Sequence, residues 1–228
     1  IELAQTYKEE LLELYNLNHV PRSQDIDSES MAKRSVKNRC LKLLSALGSD
    51  DIIQIVNKQY KESLTMTDKI AALDILENID VESSEIAMAD FYKKYKKDTL
   101  VMNKYFSILA ASSRTGTLER VIKLQNDEVY DEKVPNLVRS LIGVFARNYK
   151  YFHSKDAEGY KFVADKIIEI DKINAQMASG LAGAFKIYAR LNHINKELMK
   201  VQLERIISTH SLSKNVYEIV SKILKIEQ

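Results

Sequence analysis

The sequence predicts an all-α protein, a superhelical array of antiparallel helix pairs of the HEAT or armadillo-like α-solenoid type. Apolar residues recur every three or four positions along most of the chain, which is the period of an amphipathic helix. The 228 residues include only two prolines and six glycines, so a turn-rich β-sandwich or β-barrel is excluded. Abundant leucine, isoleucine and valine also argue against intrinsic disorder.

The first helix is predicted over about Glu2 to Tyr15, because apolar residues follow one another there at spacings of four, four and three. The residues predicted to face inward are Leu3, Tyr7, Leu11 and Leu14. The polar segment from Asn16 to Gln24 contains Pro21 and is predicted to be a loop.

A second helix is predicted to begin at Asp27 or Ser28, which can accept a hydrogen bond from an unpaired backbone N–H of the first turn. It is predicted to end before Gly48, a residue that tolerates positive φ. Its predicted inward face consists of Val36, Cys40, Leu43, Leu44 and Leu47.

The same pattern continues to the end of the chain. Later helices are predicted to begin near Ile52, Thr67, Ser83 or Ser84, Leu100, Thr117, Pro135, Ala157, Asn174, Lys196 and Ser213. Pro135 suits a first helical turn, because the donor that proline lacks would be unpaired there.

Short polar connections join these helices, and short connections favour antiparallel neighbours. Stacked pairs bury apolar faces that a single pair leaves exposed, which favours a solenoid. A closed helical bundle is the competing architecture. Because we find no linker rich in proline, glycine or serine, we predict a single domain over residues 1–228.

Charge and cysteine content restrict the partners and the cellular setting. The net charge is only +2, which gives no electrostatic reason to expect nucleic acid or an anionic membrane as a partner. No apolar run approaches the length needed to cross a bilayer. Cys40 has no second cysteine with which to pair, and its place on an apolar face predicts a core residue. A reducing compartment, the cytoplasm, fits.

A basic run, Lys93 to Lys97 with Tyr95 inside it, concentrates positive charge over a short stretch of the sequence. A solvated helix end explains it, because cations are stabilised at a helix C-terminus. An RNA-binding helical-repeat module that uses this run is a weak alternative.

Catalytic motifs are missing from the sequence. The four histidines lack the spacing of a zinc peptidase helix, and one cysteine cannot form a CxxC pair. There is no glycine-rich phosphate loop and no nucleophile elbow. We therefore predict no catalytic residue and no metal ligand in this chain.

One segment has a more specific pattern, residues 134–160. Arg139 shares a predicted helix with Leu141, Ile142 and Phe145, and His153 follows an aromatic residue and precedes Gly159-Tyr160. An arginine on such a helix either bonds to nearby carbonyls or carboxylates, or faces a ligand on a concave surface.

This segment, from Asn136 to Ala146 and then Phe152-His153 and Gly159-Tyr160, resembles the C-terminal helical domain of M1-family zinc aminopeptidases, most closely the bacterial alanyl aminopeptidase N type. The resemblance is collinear over nearly all of the chain. It extends through Ala32–Leu41, Met66–Leu73, Val101–Phe106 and the segment from Leu212 to Lys225.

The resemblance implies that the chain is the C-terminal part of a larger cytoplasmic aminopeptidase, one that removes N-terminal amino acids from short peptides. The zinc ion and the catalytic groups are then in an upstream domain, its partner in the same polypeptide, and this segment alone is inactive. It implies a wall of the active-site cavity that controls substrate access. Arg139 and His153 are the implied substrate-binding residues of that wall.

One departure from the family pattern concerns a second arginine. Bacterial members carry it directly after an Ala-Ser pair, but here Ala178-Ser179 is followed by Gly180. A carboxylate clamp made by two arginines at these positions is therefore incomplete. The alternative to the aminopeptidase interpretation is a free-standing α-solenoid that binds protein partners.

Overall fold

The computed structural model describes residues 1–19, 24–79 and 81–225. Over these residues the chain forms fourteen α-helices and no strand, so the predicted all-α class is confirmed. The described residues form two compact units, a first unit up to Tyr95 and a second unit from Lys96 onward. The single domain over 1–228 stays a prediction. Part of the predicted loop around Pro21 lies outside the described residues.

The first unit is built from consecutive helices that pack in neighbouring pairs. Its helices are α1 (Glu2–Thr6), α2 (Lys8–Leu17), α3 (Ser28–Leu44), α4 (Asp50–Glu62), α5 (Met66–Glu77) and α6 (Glu82–Tyr95). Helix α2 packs on α3, α4 on α5, and α5 on both α3 and α6.

Both ends of α3 follow local sequence chemistry. The Asp27 carboxylate accepts a hydrogen bond of 2.9 Å from the Ser30 backbone N–H, as predicted for an N-cap. A short 3₁₀ turn, Ser45–Leu47, follows the helix and ends at Gly48, whose φ is +62°. Only 4% of Cys40 is exposed, which confirms its predicted place in the core. Thr67 is predicted to cap the helix that follows, but helix α5 is capped by Thr65, two residues earlier.

The predicted inward face of the first helix is wrong at three of its four positions. Leu3, Tyr7 and Leu14 are exposed, and only Leu11 is buried. The reason is a break at Tyr7, where φ and ψ of −113° and 29° separate α1 from α2. After this break Leu11 and Tyr15 form the buried face of α2.

Val36 is also predicted to face inward, yet it is exposed. The neighbouring Lys37 is buried instead, because its Nζ lies 2.6 Å from a carboxylate oxygen of Asp68 on α5. The hydrophobic period thus predicts the wrong residue, because a paired lysine occupies the inward position.

The second unit contains eight α-helices and two irregular helical segments over its described residues. Its α-helices are α7 (Thr99–Ala111), α8 (Thr117–Leu124), α9 (Pro135–Val138), α10 (Tyr149–Phe152), α11 (Glu158–Asp171), α12 (Ala175–Ala182), α13 (His193–Ile207) and α14 (Lys214–Lys225). A π-helical segment, Arg139–Gly143, continues α9, and a 3₁₀ segment, Gly183–Arg190, continues α12.

Packing in the second unit sets three segments side by side. Helix α7 packs on the π-helical segment, which in turn contacts α12. Helix α12 also packs on α11 and α14. Pro135 is the first residue of α9, as predicted. The α7, π and α12 segments therefore carry the faces between which a groove is formed.

Candidate functional site

An open groove of about 1040 Å³ lies in the second unit. It is lined by one face of α7, by the α9 and π segments, and by α12 with its 3₁₀ continuation. On α7 the lining residues are Leu100, Asn103, Lys104 and Ser107, which follow the i, i+3, i+4, i+7 spacing of a single helical stripe. The groove has the size of a small-ligand site.

The central wall of this groove is the π-helical segment together with the residues that follow it as far as Arg147. A π turn bonds residue i to i+5, so it holds one more residue than an α turn, and such turns are frequent at functional sites. Arg139 is the first residue of the segment, and Gly143 is the last. The sequence predicts a regular helix here, because a hydrophobic pattern does not distinguish a single π turn from an α turn.

Three cations line the groove, one on α7 and two on the central wall: Lys104, Arg139 and Arg147. All three are exposed, and no aspartate or glutamate is among the described lining residues. Opposite charges within a few ångströms are the usual partners of such side chains, so this surface is set to attract an anion. Lys104 and Arg147 were not predicted as site residues.

The Arg139 guanidinium is hydrogen-bonded to a residue one helical turn earlier in the chain. Its Nη1 donates a hydrogen bond of 2.9 Å to Oδ1 of Asn136, one turn earlier. Asn136 is neutral, and Arg139 forms no ion pair with any residue that the structure describes. A guanidinium has five N–H donors, so this contact orients the group and leaves donors for a ligand.

Gly180, where the resemblance leads one to expect an arginine, faces the same groove. A Cβ atom built there meets nothing within 4 Å, and the same holds at Gly183. This side of the groove is therefore open space, and the second cation on the central wall is Arg147.

The structure places His153 elsewhere, in an aromatic cluster. Its ring stacks on Tyr149 at 5.5 Å and meets Phe152 edge-on at 5.0 Å. Phe152 in turn contacts Tyr160 and Phe185 at 5.0 and 5.5 Å. His153 is half-buried and does not appear among the described residues lining the groove. A substrate contact by His153 stays a prediction.

His153 and Tyr160 share a hydrogen bond of 2.6 Å between Nδ1 and the hydroxyl. Burial raises the pKa of Tyr160 to about 12, so the hydroxyl keeps its proton. We assign it as the donor and Nδ1 as the acceptor, which places the imidazole proton on Nε2. Burial also lowers the pKa of His153 below its ordinary value of 6.5, so the ring is neutral near pH 7.

The described residues offer no cluster that could hold a metal ion, since nowhere do three or more histidine, cysteine, aspartate or glutamate side chains converge. The donor set that zinc needs is thus not among them. In the same part of the chain, no helix combines the length and apolarity required to span a membrane.

Comparison with known proteins gives the family. The family model described as "Domain of unknown function (DUF3458_C) ARM repeats" matches residues 1–225. The chain belongs to this DUF3458_C family. Its description as ARM repeats agrees with the helical array of this structure.

The relatives of this DUF3458_C chain are aminopeptidases. It is 33% identical to aminopeptidase N of Escherichia coli (strain K12) over 224 residues, which is 97% of this chain. Aminopeptidase N of Haemophilus influenzae is 31% identical over 228 residues. A solved structure, Legionella pneumophila aminopeptidase A in complex with aspartic acid, matches with a TM-score of 0.89 and 29% identity over 99% of this chain.

The relatives are much longer than this DUF3458_C chain. The chain spans 26% of each aminopeptidase N and 27% of the Legionella chain. The predicted resemblance to the C-terminal helical domain of an aminopeptidase is confirmed. The activity of the whole protein is a matter of proposal.

Proposed function

We propose that this chain is the C-terminal domain of a zinc-dependent M1 aminopeptidase that removes N-terminal amino acids from short peptides. Zinc and the catalytic groups belong to the upstream domain of the same polypeptide, and this domain alone is inactive. The similarity to aminopeptidases over nearly the whole chain supports this proposal. The cytoplasm stays the predicted location, since a lone buried cysteine suits a reducing compartment.

The contribution of the domain is to bind the end of the peptide that is not being cleaved. The observation that carries this step is the groove with Lys104, Arg139 and Arg147 and no carboxylate among its described lining residues. A short peptide carries a free C-terminal carboxylate, and an arginine binds such a group through two parallel hydrogen bonds. Arg139, already oriented by Asn136, is the residue that receives it.

Enclosure of the active site follows from the same role. A domain that binds the C-terminal end of a substrate also limits its length, because the peptide must fit between this wall and the zinc. Short peptides then reach the catalytic groups, and folded proteins do not. The domain thereby controls substrate access.

The test uses the full-length enzyme and its Arg139→Gln variant. We expect kcat/KM for tripeptides with a free carboxylate to fall about tenfold or more, the usual loss for a hydrogen bond to a charged group. The loss should be smaller for the corresponding peptide amides and for aminoacyl anilides, which lack the carboxylate.

Arg190→Gln is the matched control, because Arg190 is an exposed arginine of the same unit that does not line the groove. Equal losses on all three substrate types would remove the carboxylate role of Arg139. A full-length protein that hydrolyses no peptide at all would contradict the aminopeptidase assignment and favour a protein-binding solenoid.

A further inference from the structure

Arg139 and Arg147 line the same groove although eight positions separate them in the sequence. In an unbroken α-helix the seventh following residue returns almost to the starting face, and the eighth has turned past it. The π segment Arg139–Gly143 lies between them and accommodates one extra residue. Arg147 itself lies in the turn after the helix, and this departure from the α-helical period accompanies the placement of both arginines in one groove.

Arg147 has no anionic partner among the residues that the structure describes. It is exposed, it lies in the turn after the helix, and its side chain forms no ion pair with any of them. Lys104, which lines the groove from α7, is in the same situation. Like charges in one groove repel one another, so each gains when an anion enters.

The groove carries more positive charge than a peptide with a single carboxylate can neutralise. One C-terminal carboxylate neutralises one guanidinium. Two further cations of the described lining, Arg147 and Lys104, then face the ligand without a counter-charge. A peptide with a second carboxylate, on an acidic side chain beyond the cleaved bond, matches this surface better.

We infer that Arg147, together with Lys104, is a specificity-determining residue that selects peptides with an acidic residue at the C-terminal position. This inference rests on the proposed function and adds to it the class of substrate. Gly180 leaves its side of the groove without a side chain, so the groove has room for the longer side chain of glutamate. Arg139 receives the main-chain carboxylate and Arg147 the side-chain carboxylate.

The test compares four tripeptides that share their first two residues, in the full-length enzyme. The third residue is glutamate or glutamine, each as free acid or as amide, so that the two carboxylates are removed separately. We expect the wild-type enzyme to prefer glutamate over glutamine about tenfold in kcat/KM, in both the acid and the amide series. Higher salt should weaken this preference, because the three cations are exposed to solvent.

Arg147→Gln should remove most of the glutamate preference while the preference for free acid over amide remains. Arg147→Lys keeps the positive charge and should therefore retain part of the glutamate preference. Arg190→Gln serves again as the control, and unfolding by denaturant checks that the variants fold. An unchanged glutamate preference in Arg147→Gln would overturn the inference, and so would a wild-type enzyme with no such preference.

These outcomes separate the two proposals. If the enzyme cleaves all four peptides at equal rates, the aminopeptidase assignment stands and the role of Arg147 falls. If no peptide is cleaved, the proposed function itself fails. A third outcome is an enzyme that prefers free acids, loses this preference in Arg139→Gln and does not distinguish glutamate from glutamine. Recognition would then be confined to the C-terminal carboxylate, and the inference would be overturned.

Discussion

Lys37 and Asp68 form a buried ion pair in the first unit, with 2.6 Å between Nζ and a carboxylate oxygen and side-chain exposures of 3% and 11%. The other carboxylate oxygen accepts a hydrogen bond of 2.8 Å from the Asn38 amide. Gln59 joins α4 to the same group, donating to both the Asn38 side chain and the Asp68 carbonyl. Three helices, α3, α4 and α5, thus meet at one polar cluster.

We predict that Lys37→Met lowers the free energy of unfolding by about 3 to 5 kcal/mol, because it leaves the Asp68 carboxylate buried and without its counter-ion. The measurement is denaturant unfolding of the chain. Lys42→Met is the matched control: it breaks the pair with Asp74 at a similar distance of 2.7 Å, but both of those side chains are more than a third exposed.

An exposed pair contributes at most about 1 kcal/mol, so the control should change stability little. Equal effects of Lys37→Met and Lys42→Met would contradict the cost that we assign to an unpaired, buried Asp68 carboxylate. Replacing Lys37 and Asp68 together by apolar residues should recover part of the loss, because no unpaired charge then remains.

Gly159 permits a close approach of two backbone segments in the second unit. A Cβ built on Gly159 would lie 2.2 Å from the Tyr151 carbonyl oxygen and 2.7 Å from Cα of Phe152. Both contacts are with backbone, which cannot move aside as a flexible side chain would. Helix α11 can therefore pack on α10 at this distance only if residue 159 has no side chain.

We predict that Gly159→Ala costs about 3 kcal/mol of unfolding free energy or more, since overpacking against backbone forces the helices apart. Gly180→Ala is the control, because a Cβ there meets nothing within 4 Å. Alanine is the better helix former by about 1 kcal/mol, so the control should be neutral or slightly stabilising. A Gly159→Ala variant as stable as the parent chain would refute the close approach.

The helices and several of their ends could be predicted from local chemistry. Gly48 at positive φ, Pro135 at a first turn and the Asp27 cap depend on neighbouring residues only. The inward faces were less predictable, because they depend on partners distant in sequence. Lys37 is inward because Asp68, 31 residues later, lies opposite it, and no periodicity indicates that pairing.

The candidate site was predicted only in part. Arg139 was singled out from the resemblance, and the structure places it in the groove. Arg147 was missed because the sequence pattern marks neither the π turn nor the groove that this arginine lines. Lys104 could have been found from its spacing, because it shares a stripe of α7 with Asn103 and Ser107 while Phe106 of the same helix is buried. A polar stripe facing away from the core indicates a solvent or ligand surface.

The half-buried His153 makes stability depend on pH. Burial lowers its pKa in the folded chain below the 6.5 of a free side chain, so the unfolded chain binds a proton more readily. By linkage, the contribution of His153 to the free energy of unfolding is fully present above pH 6.5 and is lost as the pH falls through the folded-state pKa. Protonation at Nδ1 also removes the acceptor of the Tyr160 hydroxyl. The side chain of His19 is more exposed, but partial burial and then the charge of Lys37 lower its pKa too, so it acts in the same direction.

We therefore predict that the free energy of unfolding falls between pH 7 and about pH 5, and that His153→Gln makes this fall shallower. Glutamine is uncharged over this range and still offers an oxygen to the Tyr160 hydroxyl. The measurement is a series of denaturant titrations at several pH values, with His210→Gln as the control because His210 is exposed. Adding His19→Gln to His153→Gln should flatten the dependence further. The same slope in His153→Gln as in the parent chain would show that the histidine is not held neutral by its aromatic cluster.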